Sequence, residues 1–240
     1  MPLPTNIRRS VSRQAAHLLE SGQRFTRFDQ IRQRHFWSTY FFNPDGNGYI
    51  NPNDYPVFVT PSGSNGQGFP AGAVLTDRET NWKSQNRVPD NQNLEVTEIG
   101  VTVGVVVPSM DPSNNVDINP DPALSAAYDQ IQGAFLNNSI VNITYLTNSV
   151  PLGLSADFAQ ASGPSLGTYM ANPEGGNVLF RSNGFASPAL RRKFKIPILL
   201  QHGETFAFSY GINRAFWIGI DRPFVARLDF WATESFVEKS

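Results

Sequence analysis

The chain of 240 residues contains no cysteine. That absence excludes a disulfide scaffold, a thiolate metal site and a cysteine nucleophile. Charge is scarce too: charged residues make up 16%, against roughly 25% in an average soluble domain. Much of the surface must therefore be neutral and polar, or be covered by another chain. Only three histidines occur, His17, His35 and His202, few for a histidine-based metal centre. The longest apolar runs, such as Val101 to Val107, fall far short of the roughly 20 residues of a membrane-spanning helix. No uninterrupted apolar h-region is seen near the N-terminus, so no secretory signal is expected. There is no G-x-S-x-G elbow, and no Gly-rich turn couples a strand to a helix in the manner of a phosphate-binding loop.

What the chain has in quantity is aromatic rings and turns. Trp, Tyr and Phe number 4, 7 and 18, and Gly and Pro 19 and 18. So many rings can fill a sizeable core, which excludes disorder across the whole chain. Strand signals recur. Trp37 to Phe42 is a compact aromatic run, and Leu94 to Val107 begins with alternation and ends β-branched. Ser139 to Leu146, Arg192 to Leu200, Thr205 to Tyr210, Phe216 to Ile220 and Phe224 to Phe236 continue the series. Pro197 demotes its strand to an edge or a bulge. Leu124, Ala127, Tyr128 and Ile131 share a face and predict one helix over Ala123 to Phe135. Asn43 to Asn93 is a long polar excursion holding short strands at Tyr55 to Thr60 and Gly72 to Leu75, and Ser149 to Asn177 is loop-like. Excursions of this length are usually functional or interaction-bearing. The expectation is an all-β fold: a jelly-roll-type β-sandwich of about eight strands over residues 37–240, with long loops.

Residues 1–36 differ in character. Seven arginines face only Glu20 and Asp29, a net charge of +5, whereas the remainder carries −6. Ile7, Val11, Ala15, Leu18 and Leu19 recur at helix spacing, and Phe25, Phe28, Ile31 and His35 make a second short pattern. This predicts a basic, partly helical N-terminal arm. Ile7, Arg8, Arg9, Val11, Arg13, Leu18 and Leu19 are its candidate assembly residues. Arg8, Arg9, Arg13, Arg24 and Arg27 are candidates for a weak, salt-dependent contact with nucleic acid. The alternative is a helix packed on its own domain with its arginines in water.

One loop has the spacing of a calcium site. From Asn43 to Asp54, oxygen-bearing side chains fall at loop positions 1, 3, 5, 9 and 12 (Asn43, Asp45, Asn47, Asn51, Asp54). Gly48 is at position 6 and Tyr49 at position 7. Asn at position 1 and the short Asp at position 12 would make binding of Ca²⁺ weak, and Pro56 opposes an exit helix. The competing reading is a run of Asn-Gly turns that needs no ion, hence no cofactor. His202 and Glu204 share a turn that supplies too few ligands for a metal. Glu95, Glu98, Asp157, Glu204 and Asp229 are acids without any sequence pairing that would suit glycoside hydrolysis. The chain therefore reads as a non-enzyme. Trp82 with Tyr49 and Tyr55 is a candidate sugar-stacking platform, or a staple that holds the loop to the body.

Four segments, LEVTEIGVTVGVVV, AFLNNSIVNITYLTNSVPLG, KFKIPILLQHGETFAFSY and ARLDFWATESF, together with the basic arm ahead of them, resemble viral jelly-roll structural proteins, particularly those of phage capsids and virions. The resemblance is one of layout over roughly 150 residues. It implies a capsid subunit that self-assembles in many copies and resides in the virion. Its partners would be itself, other virion proteins and packaged nucleic acid, with no membrane span. The alternatives are a minor or cement virion protein and a receptor- or carbohydrate-binding β-sandwich module.

Overall fold

The computed structural model describes residues 31–105, 122–159, 169–171, 177–179, 191–218 and 223–236. Twelve strands are present among them: β1 (Ile31–Phe42), β2 (Tyr49–Ile50), β3 (Asn53–Val57), β4 (Gln92–Val105), β5 (Ile140–Tyr145), β6 (Asn148–Leu154), β7 (Tyr169–Ala171), β8 (Asn177–Leu179), β9 (Arg192–Leu200), β10 (Phe206–Ile212), β11 (Phe216–Trp217) and β12 (Phe224–Phe236). One helix, α1 (Pro122–Asn138), precedes β5, and a 3₁₀ turn, Ser155–Phe158, follows β6. The arm residues Ile7, Arg8, Arg9, Val11, Arg13, Leu18, Leu19, Arg24 and Arg27 lie outside the described residues.

Two four-stranded antiparallel sheets carry the fold, in the orders β1-β12-β4-β9 and β3-β10-β5-β6. Counting only these eight strands, the first pairs with the eighth, the second with the seventh, the third with the sixth and the fourth with the fifth. The chain is thus one long antiparallel ribbon, folded so that successive pairs fall in alternate sheets. Cross-pairs β12 with β4 and β10 with β5 knit each sheet together. Alternation dictates which side chains meet. Phe224, Leu228 and Phe230 of β12, Ile99 and Val101 of β4 and Phe206, Phe208 and Tyr210 of β10 are all buried in one core. The rings Phe208 and Phe230 from opposite sheets lie 5.5 Å apart, and Phe42 and Tyr210 6.1 Å. One end of the core is closed by α1, whose Phe135 packs on Phe42, Tyr210 and Phe224.

The expected β-sandwich is present, with differences of detail. The first strand begins at Ile31, so residues 31–36, read from sequence as arm, belong to the sheet. Residue-by-residue pairing with β12 overrides the short helical spacing of Ile31 and His35. Strand β3 ends at Val57 rather than reaching Thr60, because Phe58 turns the backbone to φ 66° to bury its ring against Trp82, Phe208 and Phe230. Residues 72–75 form no strand; Leu75 is held in a loop by Gly63 and Ser64. Strand β6 lies where a loop was expected: it carries Pro151, sits at a sheet edge and is largely exposed, so no buried face imposes alternation on it. Pro197 does lie in an edge strand. The register jumps from Val96↔Ile198 to Glu98↔Lys193, which pushes residues 194–197 out of the ladder.

The excursion between β1 and β4 has a structural task. It covers the free edge of β1, where an exposed row of backbone groups would invite another chain. Asn81 accepts from the Trp37 amide at 2.9 Å and donates to the His35 carbonyl at 2.9 Å, and the Phe41 amide donates to the Gln67 carbonyl at 2.9 Å. The buried Gln67 amide donates to the Thr39 carbonyl at 2.6 Å and to Ser38 Oγ at 2.9 Å. The next residue, Gly68, comes so close that a Cβ there would sit 2.1 Å from the Phe41 carbonyl oxygen. We expect Gln67→Leu to cost about 2 kcal/mol in urea unfolding, because it strands buried acceptors on β1. A second expectation concerns Tyr210, fully buried and with no hydrogen-bond partner for its hydroxyl among the described residues. Burial pushes its phenol well above the ordinary 10. The folded state holds the proton that the unfolded chain releases, so this contribution is complete below about pH 10 and is lost as pH rises further. Tyr210→Phe should leave stability at pH 7 unchanged or higher and flatten the alkaline decline, read by thermal melts between pH 8 and 11.

Candidate functional site

Side chains on the outward face of the first sheet form a continuous stack across β1, β12 and the start of β9. Arg191 lies 3.8 Å over the Trp231 ring. Trp231 stacks on His35, with centroids 4.4 Å apart and planes 5° from parallel, and His35 leans on Trp37 at 5.2 Å. Arg227 lies 5.0 Å over Trp37 at the far end. Strand alternation produces this row, because His35 and Trp37 face Trp231 and Asp229 directly across the ladder.

Beneath the stack sits Asp229, whose side chain is only 3% exposed. Its Oδ1 is 2.6 Å from His35 Nε2 and accepts from Arg227 Nη2 at 2.6 Å and Nε at 3.0 Å. A buried carboxylate held by a forked guanidinium and an imidazole is charge-compensated. Gly100 lies opposite Asp229 on β4. Beside the stack a polar cleft of about 260 Å³ is lined by Gln33, His35, Thr97, Glu98, Arg191 and Trp231, among others. Glu98 meets Arg191 at 3.6 Å and Lys193 at 3.5 Å. Both faces of Trp231 are already covered, and the cleft is below the size range of common small-molecule pockets. What the arrangement does is clamp β1, β12, β4 and β9 together from outside. Sequence reasoning missed it because its members lie almost 200 residues apart.

The Asn43–Asp54 segment is organised as a turn. Asp45 Oδ1 accepts from the amides of Asn47 at 3.0 Å and Tyr49 at 2.8 Å, and the Asp45 amide donates to the Tyr49 carbonyl at 2.9 Å. Asp54 lies in β3, where Oδ1 accepts from Asn142 Nδ2 at 3.3 Å. The carboxylate and carbonyl expected to face an ion thus satisfy the turn itself. Asn43, Asn47 and Asn51 are exposed. Among the described residues no three His, Asp or Glu side chains come together as a metal-binding group. The turn at Gln201–Glu204 is closed in the same way, by Glu204 accepting from the Gln201 amide and Asn93 from the His202 amide.

The aromatic candidates separate. Trp82 is 3% exposed and packs on Phe36, Phe58 and Phe206, so it is the staple and not a platform. Tyr55 is half-buried against Tyr40 and Phe42. Tyr49 is exposed, and so is Trp217, which stands directly opposite it in the β2–β11 ribbon.

The two flanks of the sandwich are unlike. The edges β1 and β3 meet, with Ser38 Oγ accepting from the Phe58 amide and Tyr40 against Tyr55. The opposite flank is formed by the edges β9 and β6. Here Val150 and Leu154 of β6 and Ile196 and Leu199 of β9 are exposed, Ile196 at 80%, alongside the exposed Arg192, Lys193 and Lys195 of β9; Leu146 is exposed in the β5–β6 turn. Among the described residues no helix is long and apolar enough to cross a membrane.

No family model, curated protein or solved structure matches the chain. For the stack, Asp229→Ala is expected to cost about 3 kcal/mol in denaturant unfolding, since it leaves the cations over β12 without their buried counter-charge. Asp229→Asn, which keeps the shape and one acceptor, should cost less.

Proposed function

We propose that this chain is a structural subunit of a virus particle, with a jelly-roll body and a basic N-terminal arm, and that it acts by self-assembly. The observation that carries the reading is the strand order. A ribbon in which the first strand pairs with the eighth and the fourth with the fifth, wrapped into two four-stranded sheets, is the arrangement of a double Greek key, common in capsid and lectin domains. The second support is the β6–β9 flank. It combines two sheet edges with four exposed aliphatic side chains, Val150, Leu154, Ile196 and Leu199, a surface that pairing with another copy would bury. The third is the charge division, +5 in residues 1–36 against −6 in the rest, which suits an arm lying against packaged nucleic acid or a neighbouring acidic body.

In this reading the β6–β9 flank joins subunits, Ile7, Val11, Leu18 and Leu19 of the arm reach a neighbour, and Arg8, Arg9, Arg13, Arg24 and Arg27 contact nucleic acid without sequence preference. Its partners are further copies and other virion proteins, and its location is the virion. The experiment is light scattering and electron microscopy of the full chain over a range of concentration. Closed oligomers or particles are expected. Val150→Asp with Ile196→Asp, both exposed and so harmless to the fold, should return the protein to smaller species with unchanged circular dichroism. A protein that stays monomeric at every concentration, with and without nucleic acid, contradicts the self-assembling subunit.

A further inference from the structure

The β2–β11 ribbon stands apart from the β6–β9 flank in chemistry. Trp217 is 54% and Tyr49 42% exposed, and the two are direct cross-strand neighbours, so both rings rise from one face. Among the described residues neither ring is stacked on another aromatic side chain. The ribbon beneath them is fixed. Ile50, Phe216 and Ile218 are buried, the Ile218 amide donates to the Gly48 carbonyl at 3.0 Å, and Asp45 closes the turn through the Tyr49 amide. Two large rings are therefore presented to solvent on a support that cannot fold them away.

Exposed beside the rings along the two segments are four amides, Asn43, Asn47, Asn51 and Asn213, together with Gly46, Ala215 and a single cation, Arg214. The charges in 43–51 and 213–218 are one carboxylate, Asp45, and one guanidinium, Arg214, which sum to zero. Aromatic faces pack against the C–H faces of a pyranose ring, and side-chain amides offer a donor and an acceptor to neighbouring hydroxyls. A nucleic-acid strand would instead ask for a groove of cations beside the rings. An apolar protein partner is better matched by the aliphatic flank. We propose that the Tyr49–Trp217 face binds a neutral oligosaccharide, one hexose ring stacking on Trp217 and the flanking amides holding its hydroxyls. This does not rest on the assembly reading, since the two surfaces share no residue.

The test uses the full-length protein with chitotriose, maltotriose and lactose as probes, read by saturation-transfer NMR and by tryptophan fluorescence. At least one probe should receive saturation and shift the emission. Trp217→Ala should weaken that binding by about tenfold or more, Tyr49→Ala by less, and Trp217→Phe should keep most of it. Trp217 is exposed, so an unchanged thermal melt separates lost binding from lost fold. The proposal is overturned if no probe receives saturation, if Trp217→Ala leaves binding intact, or if a single-stranded oligonucleotide occupies the ribbon and the sugars do not.

Discussion

The ladder between the first and last long strands, Ile31–Phe42 against Phe224–Phe236, holds the rest of this structure in place. It is clamped on both faces. Inward, Phe42 stacks on Phe224 at 4.9 Å with planes 8° apart, and Phe36 on Phe230 at 4.9 Å. Outward, His35 stacks on Trp231, and Asp229 receives both His35 and Arg227. Because β12 also pairs with β4 along its whole length, the ladder places the centre of one sheet. The contacts it needs are about as distant in sequence as the chain allows. Loop closure must precede them, so folding should be slow compared with a helical protein of this size.

From that ladder follows the difference between the two flanks. Strand β1 is an edge, and an edge made of aromatic and β-branched residues invites foreign pairing. The chain spends residues 43–93 largely on covering it, through Asn81, Thr80 and Gln67. Among the described residues no comparable set of hydrogen bonds covers β6 and β9, whose exposed side chains include Val150, Leu154, Ile196 and Leu199 as well as the cations Arg192, Lys193 and Lys195. Among the described residues, one flank of the sandwich is closed by hydrogen bonds and the other presents exposed aliphatic side chains. That contrast motivates the assembly reading.

Much of the β-architecture was legible in the sequence wherever burial imposes a period. β4, β9 and β12 show it through alternating or continuous β-branched and aromatic runs, and Pro197 marked both an edge and a bulge. Legibility fell where a strand is exposed or where tertiary pairing decides. β6 has no buried face to repeat, and residues 31–36 take their conformation from β12. Trp82 and Trp217 show why site residues are harder. Both are tryptophans near turns, yet one is driven into the core by Phe36, Phe58 and Phe206 while the other stands clear in a two-residue strand. Local sequence carries no sign of that difference. The carboxylate clamp at Asp229 was invisible for a related reason, since its members are brought together by sheet register alone.

The most direct measurement is backbone hydrogen exchange on the full chain, compared between dilute and concentrated protein. Association through the β6–β9 flank predicts that amides of Asn148–Leu154 and of residues 194–199 gain protection on concentration, while the covered edge of β1 does not change. Protection arising elsewhere, or no change in β6 and β9 while the protein associates, would contradict it.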